Sequence, residues 1–157
     1  HCGSCWAITA SDAASSFYNI KNNKKVTFSH QQPLDCIRQS SGCKGGHSFL
    51  AMQYFVDRKA CTAQEYPYKA RDETCSHKKC TIETGIKNVI RLEGKRATEH
   101  ISFKGPFLTS FNITVDFMLY SDGIFNGNCV GKDGYTVLVV GYGLDIKKGR
   151  NYWIIKN

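Results

Sequence analysis

Trp6, Ala10, Ala13, Phe17 and Ile20 recur at spacings of four, three, four and three, which predicts one apolar face of a helix running to about Lys21. The cluster Asn22-Asn23-Lys24-Lys25 ends it. Ser29 then offers an N-cap with Gln32 at the capping-box position, and Pro33 lies early enough in that short helix to be tolerated. Gly45-Gly46 precedes a third helix in which Phe49, Met52 and Phe55 or Val56 share a face. Tyr66-Pro67-Tyr68 reads as an extended loop. From about Val89 the period is expected to change to two: Phe107, Thr109, Phe111 and Ile113 alternate with Leu108, Ser110 and Asn112. Thr136–Val140 is a continuous apolar run suited to a buried strand, Gly141-Tyr142-Gly143 bends the chain, and Lys147–Arg150 reads as a turn. Tyr152–Lys156 is then the returning strand. A hairpin centred near Ile146 leaves eleven residues on either side between positions 135 and 157, so Tyr135 and Asn157 are expected to be neighbours. There is no internal repeat and no low-complexity segment.

The 157 residues suffice for one large domain or for two small lobes sharing a cleft. The chain begins without Met and stops inside a strand-like run, so it is expected to be a fragment, and the formal charge of +8 describes that fragment. Its lysines are scattered and no basic stripe is interleaved with aromatics, which argues against a nucleic-acid partner. No apolar run reaches the roughly 18 residues of a membrane span, and no signal peptide is visible. Eight cysteines point to an oxidising compartment. Asn112-Ile113-Thr114 is a glycosylation sequon. Together they favour a secreted or lysosomal protein.

The segment richest in chemistry is Cys2-Gly3-Ser4-Cys5-Trp6. It places Cys5 at the amino end of the first helix, where unpaired backbone N–H groups and the helix dipole favour a thiolate, the nucleophilic form. Three other readings are weaker. Cys5 as one more disulfide cysteine is the plainest. Cys2 and Cys5 as a redox dithiol would call for a βαβ pattern, and no strand precedes the helix. A zinc site would call for further paired Cys or His spacings, and none is present.

This run, C-G-S-C-W, matches the nucleophile signature of the papain and cathepsin cysteine proteases. Other segments follow in family order: Ser29-His30-Gln31-Gln32-Pro33-Leu34-Asp35-Cys36, Gly42-Cys43-Lys44-Gly45-Gly46, Tyr66-Pro67-Tyr68 with Cys75, Val139-Val140-Gly141-Tyr142-Gly143, and Tyr152–Asn157. The chain thus resembles the papain-like cysteine peptidases of the cathepsin L and papain group over essentially its whole length. The resemblance implies an α+β, two-lobe fold. A helical lobe over residues 1–88 would carry the nucleophile, a β-rich lobe over residues 89–157 would be truncated at its C-terminus, and the cleft would lie between them. It implies Cys5 as nucleophile and Asn157 as the residue that orients the catalytic imidazole. The position of the base holds Tyr135, and the Asn or Asp before it is Gly134. The oxyanion-hole Gln would lie before His1.

By resemblance, disulfides would join Cys2 to Cys43, Cys36 to Cys75 and Cys61 to Cys80. Cys129 would pair beyond the fragment, which leaves Cys5 free. Gly45 and Gly46 would line one wall of a substrate groove. Ser48, Ser110 and Thr136 would line the pocket for the side chain two residues from the scissile bond, and its hydroxyls suggest a less apolar pocket than usual. Implied partners are peptide or protein substrates, cystatin-like inhibitors and the chain's own propeptide. No cofactor, metal, nucleic acid or membrane is implied, and a monomer is expected. Tyr142 and Trp153 are expected in the core. Among the histidines, His30 is expected to be solvated, His77 to lie in a Lys-rich loop, and His47 and His100 on lobe surfaces. Neither these nor His1 occupies the position of the base.

Tyr135 changes the expected chemistry. In the family the imidazole holds the cysteine as a thiolate and then protonates the leaving amine. A phenol with a pKa near 10 does neither well at neutral or acidic pH. An unassisted cysteine is only about 3% thiolate at pH 7. Three readings follow: a cysteine-type endopeptidase with impaired activity; a catalytically silent paralogue that binds peptides or inhibitors; and an active enzyme in which another group is the base, or in which the tyrosine, one base change from histidine, is a sequence error.

Overall fold

A computed structural model describes residues His1–Asn157, Lys78 without its side chain. The first part is helical: α1 (Cys5–Asn22), α2 (Gln31–Cys36), a 3₁₀ turn at Gly42–Lys44, α3 (Ser48–Asp57) and a second 3₁₀ turn at His77–Lys79. The second part comprises α4 (Lys95–Phe103), β1 (Phe107–Ile113), α5 (Val115–Met118), β2 (Asp133–Asp145) and β3 (Arg150–Lys156). The strands form one antiparallel sheet in the order β1-β2-β3. The architecture is α+β.

Helix α1 is the spine of the molecule, packed on α2 and α3 on one side and on β1 and β2 on the other. Its buried face is built of small residues around one large one: Trp6, Ala7, Ala10, Ala13 and Ala14. The periodicity continues to Phe17 and Ile20 in sequence, but both are exposed, and it is Tyr18 of these last turns that packs on the core, against Phe28. Three hydroxyls share the buried face and each is satisfied. Ser11 donates to the carbonyls of Ala7 and Ser29, Ser15 donates to Ser11 O and accepts from Phe28 N, and Thr9 donates to Thr136 O at 3.1 Å. Small side chains let neighbouring backbones approach α1 closely, and each buried hydroxyl avoids the cost of an unmade hydrogen bond. Asn23 ends the helix in the left-handed conformation (φ 49°), which Asn tolerates better than most residues, and its N–H bonds Asn19 O.

Ser29 caps α2 by accepting from Gln32 N at 3.0 Å. The reciprocal half of the expected capping box is not made. The Ser29 N–H goes to Cys61 O, and the buried Gln32 amide instead donates to Tyr54 Oη and Lys59 O while accepting from Cys61 N. Gln32 is a polar hub of the core rather than a capping partner. In α3 the buried face is Ala51 and Phe55, with Phe49 exposed, which displaces the expected face of Phe49, Met52 and Phe55.

The expected change to a strand period at Val89 is overturned by α4. This helix buries no residue fully, and its half-buried stripe of Ala97, Thr98, His100 and Ile101 is mostly small and polar, so the charged segment KRATEHISF shows little apolar spacing to betray it. Strand pairing begins only at Phe107. The hairpin register also differs. Leu138 faces Lys156 and Val139 faces Ile155, but Gly141 faces Ile154, so an irregularity at Val140 shifts the ladder before Asp145 closes on Arg150. Continued, that register sets Asn157 beside Val137. Tyr135 therefore meets Asn157 along the diagonal rather than face to face, within reach of a long side chain. Tyr142 and Trp153 are not core: both stand roughly half-exposed, with Trp153 edge-on to Phe107.

Three disulfides close the helical part: Cys2–Cys43, Cys36–Cys75 and Cys61–Cys80. Cys5 and Cys129 carry free thiols.

Candidate active site

A cleft of about 1050 Å³ runs between the start of α1, the Gly42–Lys44 turn and the start of β2. Cys5, Tyr135, Asn157, Gly45, Gly46, Ser48, Ser110 and Thr136 all line it. Residues up to 152 positions apart in sequence are thus brought to one surface.

Cys5 is the first residue of α1 and is half-buried. The first turn of α1 has no acidic side chain, so the positive end of the helix dipole faces the thiol unopposed. The segment before it is clamped. Cys2 is bonded to Cys43, Gly3 N donates to Cys43 O at 2.7 Å, and the Trp6 indole donates to Gly42 O at 3.2 Å. Ser4 Oγ lies 2.5 Å from Tyr68 Oη. Gly46 is held against the indole: a Cβ there would come within 2.4 Å of Trp6 Cε2, so only glycine fits. Gly45 adopts φ 118°, a conformation open to glycine and costly for others.

The opposite wall comes from the sheet. Tyr135 and Thr136 lie near the start of β2, opposite Phe111 and Ser110 of β1. Ser110 Oγ and Thr136 Oγ1 hydrogen-bond each other at 2.9 Å, which makes a polar floor. The Tyr135 phenol donates to Asn157 Oδ1. Burial raises the Tyr135 pKa above its usual value, the nearby Cys5 charge raises it further, and the Asn157 bond opposes both only in part. The phenol is therefore neutral across the physiological range. It neither withdraws a proton from a thiol nor serves as a strong acid there. Among the described residues, Cys5 Sγ has no hydrogen-bond partner.

The histidines lie elsewhere or at the margins. His1 and His47 line the cleft. His30 is not solvated: its Nε2 lies 2.7 Å from Asp12 Oδ1. His77 Nδ1 lies 3.0 Å from Cys75 Sγ. His100 is half-buried edge-on to Phe107, and burial, then the Lys104 charge, lowers its pKa. Asn112 of the sequon is exposed on β1.

Sequence reasoning missed a network behind the cleft. Asp12 of α1 pairs with His30 before α2 and, through its other oxygen, with Lys156 of β3 at 2.6 Å. Its members are 144 positions apart at most and no local pattern marks them.

The family model of the papain family cysteine proteases matches residues 1–157. Falcipain-2b of Plasmodium falciparum is 35% identical over 167 aligned residues, which cover all of this chain and 35% of that protein. Cathepsin S of Mus musculus is 33% identical over 99% of the chain, which spans 48% of its length. The chain thus spans between about a third and a half of these relatives. A solved structure of bromelain from Ananas comosus, in complex with the E64 inhibitor, superposes with a TM-score of 0.87 at 34% identity, covering 99% of this chain and 73% of that one. Matched along its whole length in sequence and closely in fold, the chain belongs to the papain family of cysteine proteases.

Proposed function

We propose that this chain is a papain-type peptidase whose cleavage step is silenced at residue 135 and whose cleft still binds peptides. The observation that carries the reading is the Tyr135 hydroxyl bonded to Asn157 Oδ1. The phenol stands where an imidazole would be needed and occupies the amide that would orient one. Cys5 takes the role of nucleophile without a base. Loss of general acid–base assistance lowers turnover by about 10²–10⁴-fold. Peptide or protein substrates are the ligand class. Gly45 and Gly46 form one wall, and the hydroxyls of Ser48, Ser110 and Thr136 favour a less apolar side chain two residues from the scissile bond.

The same reading includes a helical lobe over residues 1–88 and a β-rich lobe over 89–157, a monomeric state, cystatin-like inhibitors and a propeptide as groove partners, and a lysosomal or secreted location. Three disulfides support that location. A second reading, an enzyme working through another base, is favoured by His47, which lines the same cleft.

The test is the rate at which iodoacetamide alkylates Cys5 as a function of pH in the full-length protein, for Tyr135 and for Tyr135→His. The silenced reading expects the Tyr form to react appreciably only toward alkaline pH. The His form is expected to react at least about 100-fold faster at pH 6, as a thiolate paired with an imidazolium does. Fast alkylation of the Tyr form at pH 6, abolished by His47→Ala, would establish the second reading instead.

A further inference from the structure

A second cavity, of about 570 Å³, shares no lining residue with the active-site cleft. Its wall includes Cys36, Cys75 and His77. The donor atoms of these three side chains lie within 4.8 Å of one another, with the two cysteines half-buried and the histidine exposed. The cysteines are joined as a disulfide, and His77 Nδ1 lies 3.0 Å from Cys75 Sγ and 4.0 Å from Cys36 Sγ. A tetrahedral zinc ion with Zn–S near 2.3 Å and Zn–N near 2.05 Å separates sulfur from nitrogen by about 3.6 Å and sulfur from sulfur by about 3.8 Å. The imidazole stands about 0.6 Å inside that separation from Cys75 Sγ and about 0.4 Å outside it from Cys36 Sγ. Opening the sulfur–sulfur bond, with a side-chain shift of that size, brings the trio to a metal-binding geometry.

We propose that Cys36, Cys75 and His77 form a reduction-gated site for a soft divalent metal, Zn²⁺ foremost. A small dithiol attacks the bridge. Two electrons and two protons pass to it, Cys36 and Cys75 become thiols, and the dithiol leaves as a cyclic disulfide. Zn²⁺ then displaces both thiol protons to solvent and binds two thiolates and His77 Nδ1, with water from the cavity in the fourth position. Two thiolates and Zn²⁺ sum to zero charge, so the neighbouring Arg38 and Arg58 do not repel the assembly.

Two features favour this bridge. The first is access with an imidazole beside it: Cys36 and Cys75 are half-buried and border the cavity, Cys61 and Cys80 are 1% and 8% exposed, and the equally half-buried Cys2–Cys43 bridge has no histidine hydrogen-bonded to its sulfurs among the described residues. An imidazole beside the departing sulfur also stabilises it as a thiolate and speeds exchange. The second is that the donors stay in place once the bridge opens. The segment carrying Cys75 and His77 remains held by Cys61–Cys80, by Cys80 N donating to His77 O at 3.0 Å, and by Ser76 N donating to the Tyr66 hydroxyl at 3.1 Å. Tyr66 in turn donates to Asp35 Oδ2 at 2.8 Å, and Asp35 Oδ1 accepts from Glu73 N at 3.0 Å. Asp35 precedes Cys36 on α2, so both sides of the opened bridge share one scaffold.

The test begins with the full-length protein after its free thiols are blocked with N-ethylmaleimide. It is reduced mildly with dithiothreitol, desalted anaerobically and titrated with Co²⁺, then Zn²⁺. A second maleimide of different mass identifies the opened bridge. The expected result is that Cys36 and Cys75 take the second label before any other pair. One Co²⁺ then binds per chain with a sulfur-to-cobalt charge-transfer band, and Zn²⁺ displaces it. His77→Ala weakens Zn²⁺ binding by about 10- to 100-fold or more, since a direct ligand matters at least as much as an outer-shell partner. His77→Cys restores it. The proposal is overturned if another bridge opens first, if the reduced protein loses its near-ultraviolet circular dichroism, or if His77→Ala binds Co²⁺ as tightly and with the same spectrum.

Discussion

At residue 135 a phenol does two things at once. On the reading proposed above it removes the proton carrier from the cleft, and by donating to Asn157 it gives that amide a partner. On that reading the site keeps its shape while its reactivity falls, which is why reactivity and not stability is the quantity to measure for Tyr135→His. The converse holds at Gly46. There Gly46→Ala would drive a methyl group into the buried Trp6 indole at a distance no relaxed side chain accepts. Overpacking of this kind costs about 1–3 kcal/mol, and it would displace the cleft wall. The expected outcome is a lower denaturant midpoint together with weaker binding of a peptide aldehyde; an unchanged midpoint would contradict it.

At the scale of elements, Asp12 links three of them. It lies on α1 and reaches both the His30 turn before α2 and Lys156 on β3. Burial pushes its carboxyl pKa up, yet the bonds and charges of His30 and Lys156 outweigh burial and hold it below the usual carboxylate value. A depressed folded-state pKa means stability that is present above the unfolded value near 3.9 and is lost as pH falls through the folded one. Asp12→Asn is therefore expected to cost about 1.5–3 kcal/mol at pH 6, as loss of a charged hydrogen-bond acceptor does. Urea titrations at pH 6 and pH 3 check this: the gap between variant and parent should narrow at the lower pH. A gap that stays constant would show that the charge of Asp12 is not what binds the elements. The disulfide Cys2–Cys43 acts at the same scale. It closes 41 residues, so Cys2→Ser with Cys43→Ser is expected to cost about 4 kcal/mol in the chain-entropy account, read as a fall in thermal midpoint.

Across the whole molecule, what the sequence reveals follows the range of the forces involved. The start of α1 at Cys5 is legible because its apolar spacing is local. The meeting of Tyr135 with Asn157 is legible because a hairpin needs only a turn and a count, though the irregularity at Val140 shifts that count and no symmetric reading foresees it. Helix α4 escapes because none of its side chains is fully buried and its half-buried stripe, Ala97, Thr98, His100 and Ile101, holds a single large apolar residue, too little for a search of apolar spacing to register. Gln32 reads as a capping residue from its neighbours and serves instead as a hub between Tyr54, Lys59 and Cys61, partners that only folding supplies. The Asp12 network and the His77 cluster are invisible for the same reason.

One bond crosses from the first helix to the sheet with particular effect: Thr9 Oγ1 donates to the carbonyl of Thr136, the residue next to Tyr135. Thr9 stands one turn after Cys5 on the same rigid rod, so the bond acts as a cross-brace at the floor of the cleft. Because that brace runs between the element that carries Cys5 and the strand that carries Tyr135, whatever side chain sits at position 135 inherits an alignment with Cys5 that it did not have to create.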